Sequence, residues 1–191
     1  LLAFARRITG YKRPGLLFSD IERLRAMHRK HPLQIVMAGK SHPRDEGGKA
    51  LLKDIHGHIN ELTGEIDVVY LPGYDMTLAK TLVAGADIWL NTPLPPLEAS
   101  GTSGMKAALN GVLNLSVIDG WWVEAWREGV TGWAIGRDGD QNGEHALALY
   151  SKLEDVILPL FYGDKERWVW MMKQSISKIG PRFNSQRMMR H

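Results

Sequence analysis

Short apolar runs alternate with longer amphipathic segments along most of this chain, and this alternation constrains the fold more than any other feature. Short, fully apolar strands are typical of a parallel sheet that helices cover on both faces. We predict five such strands, at residues 1–5, 34–38, 67–71, 87–90 and 112–118. Three segments between them predict helices, which run from the Ser19 or Asp20 cap to Lys30, over residues 43–62 and over residues 76–83. The predicted fold class is α/β, a Rossmann-like parallel sheet.

The last third of the chain has a different texture. Four tryptophans crowd into a segment without clear periodicity, at Trp121, Trp122, Trp126 and Trp133. They could stack on sugar rings, although such clusters more often form core or a buried interface. Two helices are predicted after them, at residues 144–158 and 164–179. We therefore divide one predicted domain, residues 1–191, into a sheet core (1–120) and a Trp-rich segment with C-terminal helices (121–191).

Composition excludes several classes of protein. Hydrophobic residues make up 44% and charged residues 24% of the chain, which is globular usage, and the net charge of +3 is weak. Because the basic residues cluster near the two ends, we expect a local anion site and no nucleic-acid partner. The absence of cysteine excludes a disulfide scaffold and predicts a reducing compartment, the cytoplasm. No apolar run approaches the about 18 residues of a membrane span, so no membrane partner is expected.

Ligands of open α/β sheets bind beyond the carboxyl ends of the strands. Five segments with polar or glycine residues follow predicted strands, at residues 7–12, 39–40, 71–74, 91–105 and 119–120. We expect them to face one crevice. Asp119 suits either a ligand contact or a turn there.

The segment Glu98-Ala-Ser-Gly-Thr-Ser-Gly-Met-Lys106 carries the strongest chemical signal. Its small residues, 100–104, open onto a predicted short helix, whose free N–H groups and dipole favour an anion. We place Lys106 in the first turn and expect burial between Met105 and Ala107, which would lower the pKa of its amine and let it form an imine. An anion site beside such a lysine predicts a phosphate-bearing aldehyde cofactor, pyridoxal 5'-phosphate.

Other polar segments give weaker signals. Arg7 and Lys12 at the crevice rim could hold phosphate, and a solvated basic loop explains the same spacing equally well. The Gly39-Lys40-Ser41 turn lacks the first glycine of a nucleotide-binding phosphate loop, because Gln34 stands at that position. The histidines at positions 56 and 58 point different ways on a predicted helix, so no metal site is predicted.

The nine-residue segment, with Asn110-Gly111 after it, closely resembles the cofactor-lysine motif of the α-glucan (glycogen, starch or maltodextrin) phosphorylases. Other segments resemble the same family in order: Arg6-Arg7-Ile-Thr-Gly-Tyr-Lys12-Arg13, Ala38-Gly39-Lys40, Tyr74-Asp-Met-Thr-Leu-Ala79, and Asp119-Gly120 followed by Val123-Glu124. The tail Pro181-Arg-Phe-Asn184 with Arg187-Met188 is similar to the short bacterial or archaeal type.

The resemblance implies a role for each matching residue. Lys106 would bind the aldehyde of the cofactor, and Tyr74 would line its pocket. The cofactor phosphate would contact Thr102, Ser103, Gly104 and Arg6, the last of which replaces a family lysine. Arg7 and Lys12 would bind the substrate phosphate and, with Lys106, count as catalytic residues. The glucosyl hydroxyls would contact Glu98, Ser100 and Gly101.

The chain departs from the vertebrate and plant members at three places. Ser103-Gly104 replaces their Gly-Asn, and Trp121-Trp122 replaces their Ala-Asn. Asp75 stands where they often carry an arginine beside the cofactor, so we assign it no role.

The implied activity is phosphorolysis of α-1,4-glucan to glucose 1-phosphate, in which the cofactor phosphate relays a proton to inorganic phosphate. The implied fold is the C-terminal half of a two-domain B-type glycosyltransferase, whose N-terminal half is the expected partner. We expect at most trace activity from this chain alone. Two alternatives stay open: a nucleotide-sugar-dependent glucan synthase domain and a non-enzymatic sugar- or phosphate-binding domain. The glucan and the oligomeric state, a homo-oligomer included, also stay open.

Overall fold

A computed structural model describes residues 1–137, 139–140 and 142–190; His191, the end of the predicted domain, lies outside the described residues. Within these residues the sheet has six strands, all parallel, in the order β3-β2-β1-β4-β5-β6. The strands are β1 (Leu2–Ala5), β2 (Ile35–Ala38), β3 (Val68–Leu71), β4 (Ile88–Asn91), β5 (Leu113–Val117) and β6 (Gly132–Ile135). The order reverses between β1 and β4, which is the switch point of a Rossmann-like sheet.

Helices cover both faces of this sheet, as predicted. Successive side chains of a strand point to opposite faces, so β1 divides its residues between two apolar cores. Leu2 and Phe4 pack in a large core with α1 (Ile21–Lys30) and α2 (Glu46–Leu62). On the other face, Ala3 and Ala5 pack in a smaller core with α3 (Met76–Gly85) and α4 (Thr102–Leu109). The predicted fold class, a Rossmann-like α/β sheet, is confirmed.

Helix starts follow side-chain caps. The Oδ1 atoms of Asp20, Asp45 and Asp75 accept hydrogen bonds from the backbone at the starts of α1, α2 and α3. The predicted start of the second helix at Pro43 is wrong, because Asp45 caps the helix by accepting from Gly48 N at 2.8 Å.

The last third of the chain contributes one strand and most of the remaining helices. The helices are α5 (Trp122–Ala125), α6 (Asn142–Lys152), α7 (Leu158–Gly163), α8 (Lys165–Ile179) and α9 (Ser185–Arg190), with a π-helical segment, Leu153–Ile157, between α6 and α7. The strand β6 was not predicted, and it extends the sheet beyond the predicted sheet core at residues 1–120. Trp121, Trp122 and Trp133 are buried, and they therefore serve packing. No helix in the described ranges has the length and apolar character that a membrane crossing requires.

Candidate functional site

The carboxyl ends of β1, β2 and β4 bring basic and acidic side chains together. Arg6 directly follows β1, and its N–H donates to Ala38 O at 3.1 Å, which extends the pairing with β2. A Cβ atom on Gly39 would lie 2.2 Å from Arg6 O, so only glycine permits this approach. The backbone at the switch point therefore fixes the position from which Arg6 extends.

Arg6, Lys12 and Glu98 form a buried ionic group, which we call the Glu98 cluster. Arg6 Nη1 lies 3.1 Å from Glu98 Oε2, and Lys12 Nζ donates to the same oxygen. The three side chains are only 7%, 8% and 9% exposed. Two cations thus share one carboxylate, so the cluster carries an excess of buried positive charge.

Arg6 keeps unused capacity for an anion. Its Nε atom is buried and has no hydrogen-bond partner among the described residues, whereas Nη1 is paired with Glu98. Burial lowers the pKa of the Arg6 guanidinium from its ordinary value, and the Glu98 carboxylate opposes that shift. Since a buried polar group without a partner is costly, the site suits an anionic ligand.

A clamp from the loop after β4 fixes the backbone of Lys12. Thr92 Oγ1 donates to Lys12 O at 2.9 Å, and Leu94 N donates to Tyr11 O at 2.7 Å. Arg13 has a left-handed backbone with φ of 46°, and its guanidinium donates to Thr92 O at 2.8 Å. The Lys12 ammonium also lies 4.5 Å from the centre of the Tyr11 ring.

A second clamp holds the loop that carries Glu98. Glu98 N donates to Asp119 Oδ2 at 2.9 Å, and Trp121 N donates to Ser100 O at 2.8 Å. Asp119 Oδ1 accepts from Gly120 N at 2.9 Å. Asp119 therefore links the turn after β5 to the backbone of Glu98. The sequence placed Asp119 at a strand end but gave no signal for its bond to Glu98.

The helix α4 begins at Thr102, directly after Gly101, whose φ is +91°. The first N–H groups of an α-helix have no intrahelical acceptor, so Thr102 and Ser103 offer donors there. Gly104 N already donates to Gly101 O at 3.2 Å. A Cβ atom on Gly104 would lie 2.7 Å from Asn114 Oδ1 and 2.9 Å from the Trp121 ring, so packing also selects this glycine.

Lys106 differs from its predicted setting in two respects. It lies in the second turn of α4, because the helix begins at Thr102. It is also exposed, so the expected burial is wrong. Its neighbours Ala107 and Ala108 are buried, while Lys106 lies on the outer face of α4, where it lines a cleft of about 870 Å³.

This second region, which we call the Lys106 cleft, is formed by α4 and the C-terminal segment. Ser100 and Thr102 line it together with Lys106, and Phe183 and Arg187 lie among the tail residues that complete it. The described lining does not include Arg6, Arg7 or Lys12. The structure thus divides the predicted site residues between a buried cluster and an open cleft.

Two predicted residues lie near the cluster. Arg7 is exposed at the end of β1. Tyr74 is partly buried, and its hydroxyl donates to Ala5 O at 3.5 Å. Burial raises the pKa of Tyr74, and the nearby Arg6 charge opposes that shift. In the described part of the chain, no group of three or more His, Cys, Asp or Glu side chains could hold a metal ion.

The fold resembles a solved structure. The crystal structure of Anabaena Alr3699/HepE in complex with UDP and glucose superposes with a TM-score of 0.69 at 19% identity. The match covers 99% of this chain and 47% of that one, and at this identity it shows the fold alone.

Sequence relatives carry more information. Glycogen phosphorylase of Aquifex aeolicus is 46% identical over 99% of this chain and 29% of that protein. Maltodextrin phosphorylase of Thermococcus litoralis is 45% identical over 100% of this chain and 24% of that protein. The chain therefore spans about a quarter of the length of these relatives. The family model for carbohydrate phosphorylases matches residues 4–133, and the chain belongs to the carbohydrate phosphorylase family.

Proposed function

We propose that this chain is the cofactor- and phosphate-binding part of a cytoplasmic α-glucan phosphorylase. That enzyme is a glycosyltransferase that cleaves α-1,4-glucan with inorganic phosphate and releases glucose 1-phosphate. The observation that carries the proposal is the Glu98 cluster, in which two buried cations share one carboxylate oxygen. An excess of buried positive charge favours a multivalent anion. Membership of the carbohydrate phosphorylase family suggests that this anion is phosphate.

The chain's own residues bind and orient the substrate phosphate in this proposal. Lys12 is fixed by its backbone clamp, and Arg7 extends from the exposed end of β1. Together they hold phosphate oxygens, with Lys12 as a point charge and Arg7 as a bidentate donor. Fixed cations of this kind stabilise negative charge that develops in the transition state without reorganisation.

Glu98, Ser100 and Gly101 contact the hydroxyl groups of the glucosyl unit. Glu98 uses only Oε2 for Arg6 and Lys12 among the described contacts, so its Oε1 can accept a sugar hydroxyl. One side chain then links the phosphate side of the site to the sugar side. This arrangement supports a reaction in which phosphate meets the glucosyl carbon.

The residues present also fit pyridoxal phosphate. The Arg6 Nε atom and the free N–H groups of Thr102 and Ser103 provide donors for its phosphate, and the exposed amine of Lys106 would hold its aldehyde. Gly104 contributes less, since its N–H is already engaged, and Tyr74 lines the pocket. When bound, the cofactor supplies a phosphate that exchanges a proton with the substrate phosphate, at a second pKa of about 6.

The family match favours phosphorolysis over the nucleotide-sugar alternative. Synthases share the architecture, and the HepE likeness is at the level of fold. The chain's relatives at 45–46% identity are named phosphorylases. The N-terminal half of the polypeptide supplies the remaining glucan contacts in this proposal.

The test uses the full-length enzyme that contains this chain. We expect glucose 1-phosphate from glucan and inorganic phosphate, and a borohydride-stable pyridoxal phosphate adduct that mass spectrometry maps to Lys106. Lys106→Ala removes both signals, whereas Lys80→Ala, at an exposed helical lysine of α3, retains them. Glucosyl transfer from a nucleotide sugar without an adduct would instead favour a synthase.

A further inference from the structure

The turn after β5 contacts the Glu98 loop through one side chain and one backbone group. Asp119 Oδ2 accepts from Glu98 N at 2.9 Å, and two residues later Trp121 N donates to Ser100 O at 2.8 Å. Gly120 lies between them with φ of +55°, and a Cβ atom there would lie 2.5 Å from Ser100 O. The two segments therefore approach so closely that the backbone position of each one restricts that of the other.

The Asp119 carboxylate uses both oxygens in this turn. Oδ1 accepts from Gly120 N at 2.9 Å while Oδ2 accepts from Glu98 N. An ionised carboxylate is an acceptor only, so it suits two N–H donors at once. An asparagine at this position would present its NH₂ group to one of those donors and would lose that bond.

Glu98 depends on this support because it lies in the loop between β4 and α4. Its side chain reaches Arg6 and Lys12, which both come from the segment after β1. A shift of the Glu98 backbone would therefore move its carboxylate relative to both cations. Ser100, two residues on, is held by the same turn.

We propose that Asp119, together with Gly120, is a positioning residue that sets Glu98 and Ser100 against the glucosyl unit and the phosphate-binding cations. This inference rests on the proposed function and deepens it. Neither residue touches substrate in this proposal. Both act through the backbone of the Glu98 loop.

The test compares Asp119→Asn and Gly120→Ala with a matched control in the full-length enzyme. Asp164→Asn makes the same chemical change at the start of α8, where Asp164 Oδ1 accepts from Arg167 N at 2.8 Å and asparagine caps equally well. In the synthetic direction, we expect kcat/KM for glucose 1-phosphate to fall about 10- to 100-fold in Asp119→Asn. Gly120→Ala should behave alike, and Asp164→Asn should stay within twofold of the parent.

Discrimination between substrates separates positioning from a general structural role. Monodeoxy analogues of glucose 1-phosphate lack one hydroxyl each. The parent enzyme should discriminate at least tenfold against the analogue that lacks the hydroxyl held by Glu98 or Ser100. Asp119→Asn should discriminate less than threefold, because loss of either bond of the turn shifts the Glu98 loop and weakens that contact. Equal discrimination in parent and variant overturns the proposal, even if the variant melts at a lower temperature.

A second measurement covers the case in which the parent enzyme does not use glucose 1-phosphate, which would refute the proposed function. Calorimetry then measures binding of inorganic phosphate to parent and variant. Displacing the Glu98 carboxylate frees Arg6 and Lys12, so phosphate should bind at least threefold more tightly to Asp119→Asn. A Kd that stays equal or rises overturns the positioning role independently of activity.

Discussion

The Glu98 cluster and the Lys106 cleft differ in how far their groups for an anionic ligand are fixed before the ligand binds. In the cluster, two cations are buried and already oriented by a carboxylate of the same chain. In the cleft, Lys106 is exposed on a helix face, and the space of about 870 Å³ in front of it is open. The cluster is therefore preorganised by folding, whereas the cleft acquires its order from what binds there.

The difference predicts unequal consequences for stability. Breaking a pair of charged groups that folding has buried lowers the free energy of unfolding, because the remaining partner stays buried without its counter-charge. Groups held ready for a ligand contribute little until the ligand arrives. Substitutions in the two regions, and at the packing contact between α4 and the sheet, test this comparison directly.

The largest effect is expected for Glu98→Ala. This change leaves Arg6 and Lys12 buried without their counter-charge, which should lower the free energy of unfolding by about 3–5 kcal/mol. Glu154→Ala is the control, because Glu154 pairs with Arg23 at 2.9 Å in a more exposed setting and should cost at most about 1 kcal/mol. Urea unfolding measures both. Equal losses would mean that the cluster is not the buried, paired group described above.

An intermediate effect is expected at Gly104, on the face of α4 opposite to Lys106. Gly104→Ala places a methyl group 2.7 Å from Asn114 Oδ1 and 2.9 Å from the Trp121 ring, and overpacking of this kind costs about 1–3 kcal/mol. The control is Gly57→Ala within α2. A Cβ atom on Gly57 would meet no atom of the surrounding structure within 4 Å, so alanine should raise the free energy of unfolding by about 0.4–1 kcal/mol. Thermal unfolding of the two variants should therefore shift in opposite directions. A shift in the same direction would contradict the close packing of α4 on Trp121.

The sequence predicted the inner part of the sheet well, for a physical reason. Strands buried on both faces must be continuously apolar, so the ends of the first five were located to within one residue. The strand β6 was not predicted because its apolar run, residues 133–135, is only three residues long and follows directly after Gly132. A Cβ atom there would lie 2.2 Å from Asn114 O, a requirement that only the paired strands reveal.

The candidate site was predicted in part. Local sequence signals an anion-binding loop, because small residues before a helix act within a few positions. The pairing of Glu98 with Arg6 and Lys12 joins residues 86 or more positions apart, so spacing alone does not give it. The burial expected for Lys106 failed because Met105 and Ala107, its neighbours in sequence, point in other directions on the helix.

The smallest effect on folding is expected for Lys106→Ala, and it sharpens the comparison most. Because Lys106 is exposed on α4, the variant without cofactor should unfold within about 0.5 kcal/mol of the parent. With pyridoxal phosphate present, the parent should gain stability that grows with cofactor concentration, and the variant should gain far less, since its anchoring amine is gone. Thermal unfolding with and without pyridoxal phosphate measures both differences. A large cost without cofactor would show that the Lys106 amine already has a buried partner, and the cleft would then be preorganised like the cluster.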